Sequence, residues 1–514
     1  MTSPLTASLA QRTAPGIFGG DGLIQAFDGA AGYRDMPDNV VRMLWAAAVV
    51  HGDREALAEV GGDRFTYGEM WSAARRVAGG LRGGGVRRGD RVAIRLGNSA
   101  DWALAFVGTL LAGAIAVPVN VRLTDAEVDY IVGDSGAAYV FRAGAALPGG
   151  EPVQIDDQES GDTAAILYTS GTTGSPKGVV LTHRNLVSAT TTMRRILAHH
   201  RLPEHARDLV AVPLFHVTAL TGQFLPTLAS GGALVVLPAF DVITFLDTVE
   251  AERIDSLVGV PTIFALAAAH PHIGEVDVSS VKWVGFGGAA ATREVIAAIT
   301  AAFPGARLTS AYGMTETSGP MLVLPTELIT TRPESVGFPP PVWQARIDRA
   351  GVDGIGELLV RGEGLMRRYW NNPDATAAAL EDGWLHTGDL ARSGTDGTFV
   401  VVGRITDMII RGGENVYCLE VEQAIGAEPG VQEVAVVGVP DPVMGEKVAA
   451  LILPRPGAEL DVPVLLDRVK TRLADFKVPQ YVAIAHGPLP RNANGKLLKK
   501  QIKADTEWGR EIRH

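Results

Sequence analysis

The sequence predicts an α/β protein: a large N-terminal domain with parallel-type sheets, crossover helices and a smaller β-rich subdomain, then a small α+β C-terminal domain. Three observations predict this class. Short apolar runs alternate with helical patterns over most of the 514 residues, as in strands joined by crossover helices. The stretches 102–121 and 209–240 contain no Asp, Glu, Lys or Arg, which is typical of buried parallel strands. From residue 354 onward, strand-like runs are separated by turns.

Hydrophobic periodicity and turn residues place the individual elements. They predict helices over 39–49 and 66–82, a strand over 91–96, a helix from about residue 99 and a strand near residue 116. Strands over 234–237 and 256–260 follow, on either side of a helix over 245–252. Further strands are predicted over 356–361 and 398–402, with a turn at 395–397. Gly and Pro cut both uncharged stretches into short pieces, so no membrane span is predicted.

The pattern changes again near Gly403, which predicts a domain boundary there. The N-terminal domain would comprise residues 1–403 and the C-terminal domain residues 404–514. The second domain is predicted to contain strands over 408–411, 434–439 and 448–453 and helices over 419–425 and 463–474. This length lies within the usual range of a domain.

Composition excludes several classes of function. Lys plus Arg number 46 and Asp plus Glu number 57, which gives a net charge of −11. The sequence contains no run of five or more basic residues, so a nucleic-acid partner is not predicted. The single cysteine, Cys418, forbids an intrachain disulfide and a cysteine-rich metal site. Since the N-terminus also lacks an apolar signal region, the sequence predicts a cytoplasmic protein.

A loop rich in small and hydroxyl residues is the clearest chemical motif. Residues 168–178 read YTSGTTGSPKG, between apolar strands over 164–167 and 179–181. Glycines turn backbone N–H groups toward an anion, hydroxyls add donors, and Lys177 adds positive charge. Pro176 and Gly178 stand where a Walker loop needs glycine and a hydroxyl. The motif therefore predicts phosphate binding by a loop of another kind.

Four further motifs follow this loop in order. They read YGMTET over 312–317, WLHTGDL over 384–390, GRITDMIIRGGENVY over 403–417 and PRNANGKL over 490–497. With them, nearly the whole chain resembles the adenylate-forming (AMP-binding) superfamily, which includes acyl-CoA synthetases, nonribosomal-peptide adenylation domains and firefly-type luciferases. The resemblance is to the acyl-CoA synthetase, or acid–thiol ligase, branch.

The resemblance implies a role for each motif in binding ATP and Mg²⁺. The residues it assigns to the nucleotide are Thr169, Ser170, Gly171, Thr172, Thr173, Gly174, Lys177, Gly287, Gly288, Ala289, Ala290, Tyr312, Gly313, Asp389, Arg404, Gly412 and Gly413. Tyr312 would stack on adenine, and Asp389 with Arg404 would bind the ribose. Glu316 would be the Mg²⁺ ligand, and Thr315 would donate to the α-phosphate. A hard cation held by one carboxylate and a triphosphate suits that chemistry.

The resemblance also implies a mobile C-terminal domain. In one orientation Lys496 would reach between the substrate carboxylate and the α-phosphate, whereas Lys499 and Lys500 are predicted to be solvated. In the other orientation the Gly412–Gly413 loop would face the active site beside a pantetheine tunnel. The pivot of the family, often Asp or Lys, is here Thr406. This departure leaves room for an enzyme that performs one half-reaction better than the other.

The acyl site is predicted to be uncharged. The resemblance places His216 at its carboxylate end, and the other predicted walls are Phe215, Val260, Phe264, Phe286, Gly288, Met314 and Gly319. Amino-acid-activating relatives carry an aspartate near this segment, and residues 215–222 contain none. An uncharged acyl or aryl tail is therefore predicted.

The predicted function is that of an acyl-CoA synthetase. It would activate a largely apolar carboxylic acid with ATP to acyl-AMP and pyrophosphate, and then transfer the acyl group to CoA. Lys496, Thr315, Glu316 and His216 would be its catalytic residues. Three alternatives stay open: transfer to the phosphopantetheine of a separate carrier protein, competence in mainly one half-reaction, and a non-catalytic sensor of acyl groups or adenylates.

Overall fold

A computed structural model describes residues 23–25, 31–169, 176–203, 205–492 and 495–512. The chain divides into two compact units. The first contains the described residues up to Arg346, with Val360–Leu385 and Thr395–Phe399. The second contains Ile347–Leu359, His386–Gly394 and the described residues from Val400 onward. No helix in the described part of the chain is both long enough and apolar enough to cross a bilayer.

The strands of both units, in chain order, have the following bounds. They are β1 (Leu23–Gln25), β2 (Ala31–Tyr33), β3 (Glu55–Glu59), β4 (Arg64–Thr66), β5 (Arg91–Arg95), β6 (Ile115–Pro118), β7 (Ala137–Arg142), β8 (Thr163–Thr169), β9 (Lys177–Thr182), β10 (Arg207–Val210), β11 (Ala233–Val236), β12 (Ser256–Gly259), β13 (Trp283–Gly287), β14 (Arg307–Met314), β15 (Gly319–Leu324), β16 (Trp343–Asp348), β17 (Gly356–Gly362), β18 (Arg368–Tyr369), β19 (Leu380–Glu381), β20 (Trp384–Ser393), β21 (Phe399–Arg404), β22 (Ile409–Arg411), β23 (Glu414–Val416), β24 (Val431–Asp441), β25 (Gly445–Pro454) and β26 (Tyr481–Ile484).

The helices alternate with these strands. They are α1 (Val40–Val50), α2 (Tyr67–Gly83), α3 (Ala100–Leu111), α4 (Asp125–Ser135), α5 (His183–His199), α6 (Val217–Ala219), α7 (Leu225–Ala229), α8 (Val242–Ala251), α9 (Pro261–Ala269), α10 (Arg293–Ala302), α11 (Thr326–Ile329), α12 (Pro373–Ala379), α13 (Cys418–Gly426), α14 (Val462–Lys470) and α15 (Lys499–Asp505). A π-helical turn, Leu220–Phe224, joins α6 to α7.

Two mainly parallel sheets form the first unit. The eight-stranded sheet has the order β15-β14-β13-β12-β10-β11-β3-β4, and the six-stranded sheet has the order β18-β9-β8-β6-β5-β7. Pairing is parallel from β14 to β3 and from β8 to β7, and it is antiparallel at the remaining edges. A large apolar core packs α8, α9 and α10 against the eight-stranded sheet. The predicted fold of parallel sheets with crossover helices is confirmed.

Side-chain caps explain why the predicted helices begin where they do. The Asn39 side chain accepts a hydrogen bond from the backbone N–H of Arg42 (2.8 Å) and starts α1. Thr66 and Glu69 form a reciprocal capping box at the start of α2. Ser99 caps α3 through the backbone N–H of Trp102 (3.2 Å). Each cap satisfies a donor that the first turn of a helix would otherwise leave unpaired.

A small sheet forms the centre of the second unit. Its order is β23-β22-β25-β24, with β26 parallel to β25, and α13 and α14 pack on it over an aliphatic core. A further five-stranded sheet has the order β16-β17-β20-β19, with β21 beside β20. Helix α14 ends at Lys470, so the prediction of a helix to residue 474 was four residues too long at its end.

The second unit is larger than the predicted C-terminal domain, residues 404–514. It adds Ile347–Leu359, His386–Gly394 and residues 400–403. The added strands are bonded to one another, for example through the Thr387 hydroxyl, which donates to the Leu358 carbonyl (2.7 Å). Contact between strands, not position along the chain, therefore groups these segments.

Candidate active site

The predicted phosphate-binding loop joins two antiparallel strands. Strand β8 ends at Thr169 and β9 begins at Lys177, and the two residues are paired across the hairpin. The predicted phosphate ligands Ser170, Gly171, Thr172, Thr173 and Gly174 lie outside the described residues. The Lys177 ammonium lies 5.3 Å from the ring centre of Tyr369, which is a cation–π contact. One cation therefore stands at the base of the loop.

The predicted metal ligand, Glu316, lies directly after β14 in a 3₁₀ turn that Thr315 opens. Its Oε1 atom accepts a hydrogen bond of 2.8 Å from the Tyr369 hydroxyl. Strand β18 holds Tyr369 in place, since Tyr369 pairs there with Val179 of β9. Tyr369 therefore contacts both Lys177 of the motif over 168–178 and Glu316 of the motif over 312–317.

The carboxylate of Glu316 suits Mg²⁺. The Tyr369 hydroxyl donates to Oε1 of this carboxylate and so restricts its orientation. In proteins, Mg²⁺ is usually held by one or two carboxylates and takes its other ligands from water and substrate phosphates. Across the part of the chain that the structure describes, no group of three or more His, Cys, Asp or Glu residues could hold a metal ion. A metal ion at Glu316 would therefore take most of its ligands from water or from a bound substrate.

A glycine-rich loop follows β13 at the carboxyl edge of the eight-stranded sheet. Gly287 is paired with Ala311 of the parallel strand β14, and a Cβ atom on Gly287 would collide with the Ala311 carbonyl oxygen. Gly288 has a φ of +76°, in the left-handed region that favours glycine. The next residues, Ala289 and Ala290, are exposed. Open α/β sheets bind ligands at this edge.

Tyr312 lies on the strand next to this loop, in a tight hairpin of β14 and β15. The hairpin pairs Met314 with Gly319, and a Cβ atom on Gly313 would collide with the Gly319 carbonyl oxygen. The Thr317 hydroxyl donates to that carbonyl oxygen (2.7 Å) and locks the turn. Tyr312 is half-buried. The structure thus brings Tyr312 and the glycine loop together on neighbouring strands.

An apolar cavity opens beside these glycines. Its lining residues are Met193, Ile196, Val217, Thr218, Gly222, Val258, Trp283, Gly285, Phe286, Gly287, Gly288, Thr309, Ala311, Gly313, Gly319, Pro320 and Val323. Of the predicted acyl-site residues, Phe286, Gly288 and Gly319 line it. None of the described residues along its wall is charged.

The other predicted acyl-site residues lie around this cavity or behind it. The Cγ1 atom of Val260 would lie 3.7 Å from a Cβ atom on Gly288, so Val260 borders the glycine loop. His216 stands at the start of α6, and its ring centre is 4.6 Å from that of Phe215. Phe264 is fully buried in the core between the sheet and the helices and does not line the cavity. The packing of Phe264 is therefore that of a core residue.

In the second unit, the predicted ribose ligands form an ion pair. Asp389 lies on β20 and is 6% exposed. Its Oδ1 atom accepts a hydrogen bond of 2.8 Å from Nε of Arg404. The backbone N–H of Asp389 donates to the Thr387 hydroxyl (3.1 Å). Arg404 thereby orients the carboxylate of Asp389.

The predicted glycine pair of the C-terminal domain forms a hairpin turn. Gly412 and Gly413 join β22 to β23 with φ values of +60° and +91°. The backbone N–H of Gly412 donates to the Met444 carbonyl (2.7 Å). Both glycines are needed because each adopts a left-handed conformation.

The predicted catalytic lysine lies in a second turn of this unit. Lys496 is exposed, and its backbone N–H donates to Oδ1 of Asn492 (2.9 Å). The backbone N–H of Asn492 donates in return to the Lys496 carbonyl (2.9 Å). An antiparallel bridge between Arg491 and Leu497 closes the turn. These contacts among residues 491–492 and 495–497, called the lysine hairpin below, hold the Lys496 backbone in a defined position.

The prediction that Lys499 is solvated was wrong. Its ammonium forms an ion pair of 2.7 Å with Glu422 of α13 and lies 3.9 Å from Asp407. The side chain is only 20% exposed. The partners come from distant parts of the chain, so the local sequence gave no sign of them. Lys500, by contrast, is exposed as predicted.

Family models identify the kind of protein to which this geometry belongs. A model of the AMP-binding enzyme matches residues 44–151 and 143–370, and a model of the AMP-binding enzyme C-terminal domain matches residues 420–496. The chain belongs to the AMP-binding enzyme family.

Individual relatives of this AMP-binding enzyme are CoA ligases. A feruloyl-CoA synthase of an Amycolatopsis species is 39% identical over 470 residues, which cover 86% of this chain and 94% of the relative. The long-chain-fatty-acid–CoA ligase FadD13 of Mycobacterium tuberculosis is 32% identical over 502 residues, which cover 90% and 98%. The structure of o-succinylbenzoate CoA synthetase from Bacillus subtilis with ATP and a magnesium ion has a TM-score of 0.81 and 29% identity, covering 90% of this chain and 99% of that one. This AMP-binding enzyme is an acyl-CoA synthetase, an acid–thiol ligase that acts through an acyl-adenylate.

Sequence reasoning missed several residues of this AMP-binding enzyme's site. Tyr369 is found only through the pairing of β18 with β9, which no local pattern announces. Met193 and Ile196 come from α5, outside every motif, and Trp283 and Thr309 come from the first halves of their strands. Motifs in this fold gather at the carboxyl ends of strands, so they indicate the mouth of the cavity and not its depth.

Proposed function

We propose that this enzyme uses ATP and Mg²⁺ to activate an uncharged, largely apolar carboxylic acid and transfers the acyl group to CoA. The observation that carries the proposal is the apolar cavity, which opens beside Gly287 and Gly288 and has no charged residue among the described residues of its wall. Such a wall suits a hydrocarbon or aryl tail, because burying an unpaired ammonium or second carboxylate there would be costly. Two of the related ligases are named for feruloyl and long-chain fatty acyl groups, which have tails of this kind.

In the first half-reaction, an oxygen of the substrate carboxylate attacks the α-phosphorus of ATP, and pyrophosphate leaves. All reacting groups are anionic, so the enzyme must neutralise charge and align them. We assign the β- and γ-phosphates to the loop from Thr169 to Lys177, on its motif and on the cation at its base. Thr315 would donate to the α-phosphate. His216 would border the carboxylate end of the acyl site.

The adenosine is assigned from the motifs and from local geometry. Tyr312 would stack on adenine, against the loop formed by Gly287, Gly288, Ala289 and Ala290, because tyrosine and loop lie on adjacent strands. The ribose hydroxyls would bind Asp389, a buried two-oxygen acceptor that Arg404 orients.

Glu316 would hold Mg²⁺, which supplies positive charge to the triphosphate when it is bound. The Tyr369 hydroxyl donates to this carboxylate and orients it. The Lys177 ammonium lies over the ring of the same tyrosine. Glu316 and Lys177 both contact Tyr369. They would therefore present one carboxylate, for Mg²⁺, and one ammonium to the triphosphate.

Lys496 would stabilise the charge that develops during adenylation. In the second half-reaction, the CoA thiol attacks the acyl carbonyl and AMP leaves, with the Gly412–Gly413 turn turned toward the reacting groups. We propose that residues 404–514 rotate about Thr406 between the two steps, as such closures complete two sites in turn. Thr406 lies in a 3₁₀ turn, Ile405–Asp407, that follows β21 directly.

The test is to incubate the enzyme with ATP, Mg²⁺ and a pooled library of fatty, aryl and alicyclic acids, with and without CoA, and to measure product masses. Acyl-AMP without CoA and acyl-CoA with it would support the proposal and identify the acid. An adenylate that CoA does not discharge would point to a carrier protein as the acceptor and contradict the second step. Activation of charged amino acids alone would contradict the proposed acid class.

A further inference from the structure

The acyl cavity carries a chain of hydrogen-bonding side chains, although most of its wall is apolar. Trp283 Nε1 donates to Thr309 Oγ1 at 3.0 Å, and Thr309 Oγ1 lies 2.9 Å from Nε2 of His200. Trp283 and Thr309 line the cavity, and all three residues are at most 5% exposed. The rings of His200 and Trp283 are nearly parallel, with centres 6.0 Å apart. A polar group is therefore built into the apolar wall.

This group lies below the mouth of the cavity. Thr309 is paired with Gly285 across the two parallel strands, and Gly287 at the mouth is two residues further along β13. At a rise of roughly 3.3 Å per residue, Thr309 lies about 7 Å below the glycine loop. An acid with one ring between its carboxyl group and a terminal oxygen spans a distance of this order.

The hydroxyl of Thr309 has capacity for a further hydrogen bond. A hydroxyl offers one donor and two acceptor positions. Trp283 takes one acceptor position, and His200 either takes the Thr309 proton or donates its own. In the first case a lone pair of Oγ1 remains, and in the second the O–H remains. A ligand oxygen could use either.

His200 Nε2 can either accept a hydrogen bond from Thr309 Oγ1 or donate one to it. Burial lowers the pKa of His200 to about 4, so its ring is neutral at pH 7 and Nε2 can donate or accept. Its Nδ1 atom is buried and makes no hydrogen bond within the described part of the chain. Such an unpaired polar atom is costly to keep in a core.

We propose that Thr309, between Trp283 and His200, binds an oxygen substituent at the far end of the acid, so that 4-hydroxyaryl acids are preferred to unsubstituted ones. The inference rests on the proposed function, because that function places the carboxyl group at the glycine loop. Thr309 acts here as a specificity-determining residue. The acid is recognised at both ends, by the adenylation site and by this hydroxyl.

The test compares 4-hydroxycinnamate with cinnamate, which differ only in the terminal hydroxyl. We expect kcat/KM for pyrophosphate release to be about two- to twelve-fold higher for 4-hydroxycinnamate, the range for one neutral hydrogen bond. Thr309→Val has nearly the same shape but no hydroxyl, and it should reduce the ratio to about one. Thr309→Ser keeps the hydroxyl and should keep the preference.

The matched control is Thr248→Val in α8, a buried threonine whose hydroxyl donates to the Thr244 carbonyl (2.6 Å) away from the cavity. It should leave the ratio of the two acids unchanged. Equal use of the two acids by the wild type, or a preference that survives in Thr309→Val, would overturn the inference. If fatty acids are activated and both cinnamates are rejected, the proposed function stands and the inference falls. If no uncharged acid of the library is activated, the proposed function itself fails.

Discussion

The buried carboxyl group of Asp208 should make the stability of the first unit depend on pH in an unusual direction. Asp208 lies on β10 in the middle of the eight-stranded sheet and is 3% exposed. It accepts hydrogen bonds from Gln223 Nε2 (2.8 Å) and from the Thr227 hydroxyl (3.0 Å). Burial nevertheless raises the pKa of Asp208 from 3.8 to about 6. The folded protein therefore holds this proton more tightly than the unfolded chain does.

The size of the effect follows from linkage. A rise from 3.8 to about 6 corresponds to about 3 kcal/mol, at 1.36 kcal/mol per pKa unit. Since the folded-state pKa is the higher one, this contribution is fully present below pH 3.8 and is lost as pH rises through 6. Between pH 4.5 and pH 7, the loss is about 2 kcal/mol. Most carboxylates in proteins act in the opposite direction.

Asp208→Asn removes the titration and keeps the shape. Urea unfolding followed by tryptophan fluorescence should be measured for both proteins from pH 4.5 to pH 7. The free energy of unfolding of the wild type, minus that of the variant, should fall by about 2 kcal/mol over this range. The buried histidines titrate in both proteins and cancel in the difference. Thr227→Val removes a donor to the ionised carboxylate and should enlarge the loss, whereas a difference independent of pH would refute the reasoning.

Three further predictions concern the proposed site. Lys496→Ala should abolish acyl-AMP formation but spare thioester formation from supplied acyl-AMP. Lys500→Ala is the control and should spare both steps. Equal loss of both steps in Lys496→Ala would contradict the role of Lys496. Asp389→Asn should raise the KM for ATP about ten-fold, because it removes the charge from a hydrogen bond to the ribose; an unchanged KM would argue against the assignment. Tyr369→Phe should raise the Mg²⁺ concentration for half-maximal adenylation about ten-fold or more, because it removes a hydrogen bond to the Glu316 carboxylate, and an unaltered Mg²⁺ dependence would contradict that reasoning.

The sequence predicts well whatever depends on local chemistry. Helix starts at Asn39, Thr66 and Ser99 were predicted to within a residue, because each cap is a local hydrogen bond. Parallel pairing followed from the alternation of strands and helices. The family resemblance brought Tyr312 and the Gly287–Gly288 loop together, and the structure places Tyr312 and Gly287 on adjacent parallel strands.

Features that depend on distant pairing could not be predicted. The contact between Tyr369 and Glu316 needs the register of β18 against β9. The depth of the apolar cavity needs Met193 and Ile196 of α5 to pack beside Trp283 of β13. The burial of Lys499 depends on its ion pair with Glu422 of α13, which lies far from Lys499 in the sequence. In each case the local pattern allows several partners, and only the folded chain selects one.

The ion pair between Lys499 and Glu422 has a mechanical consequence for the second unit. It holds the first residue of α15, next to the lysine hairpin, against α13 and close to Asp407. The thiol of Cys418 in turn donates to the Asp407 carbonyl (2.9 Å). Asp407 adjoins Thr406, so these contacts connect the residue after the proposed pivot to α13 and to the start of α15. In the proposed rotation about Thr406, α13 and the start of α15 would therefore move together with Asp407.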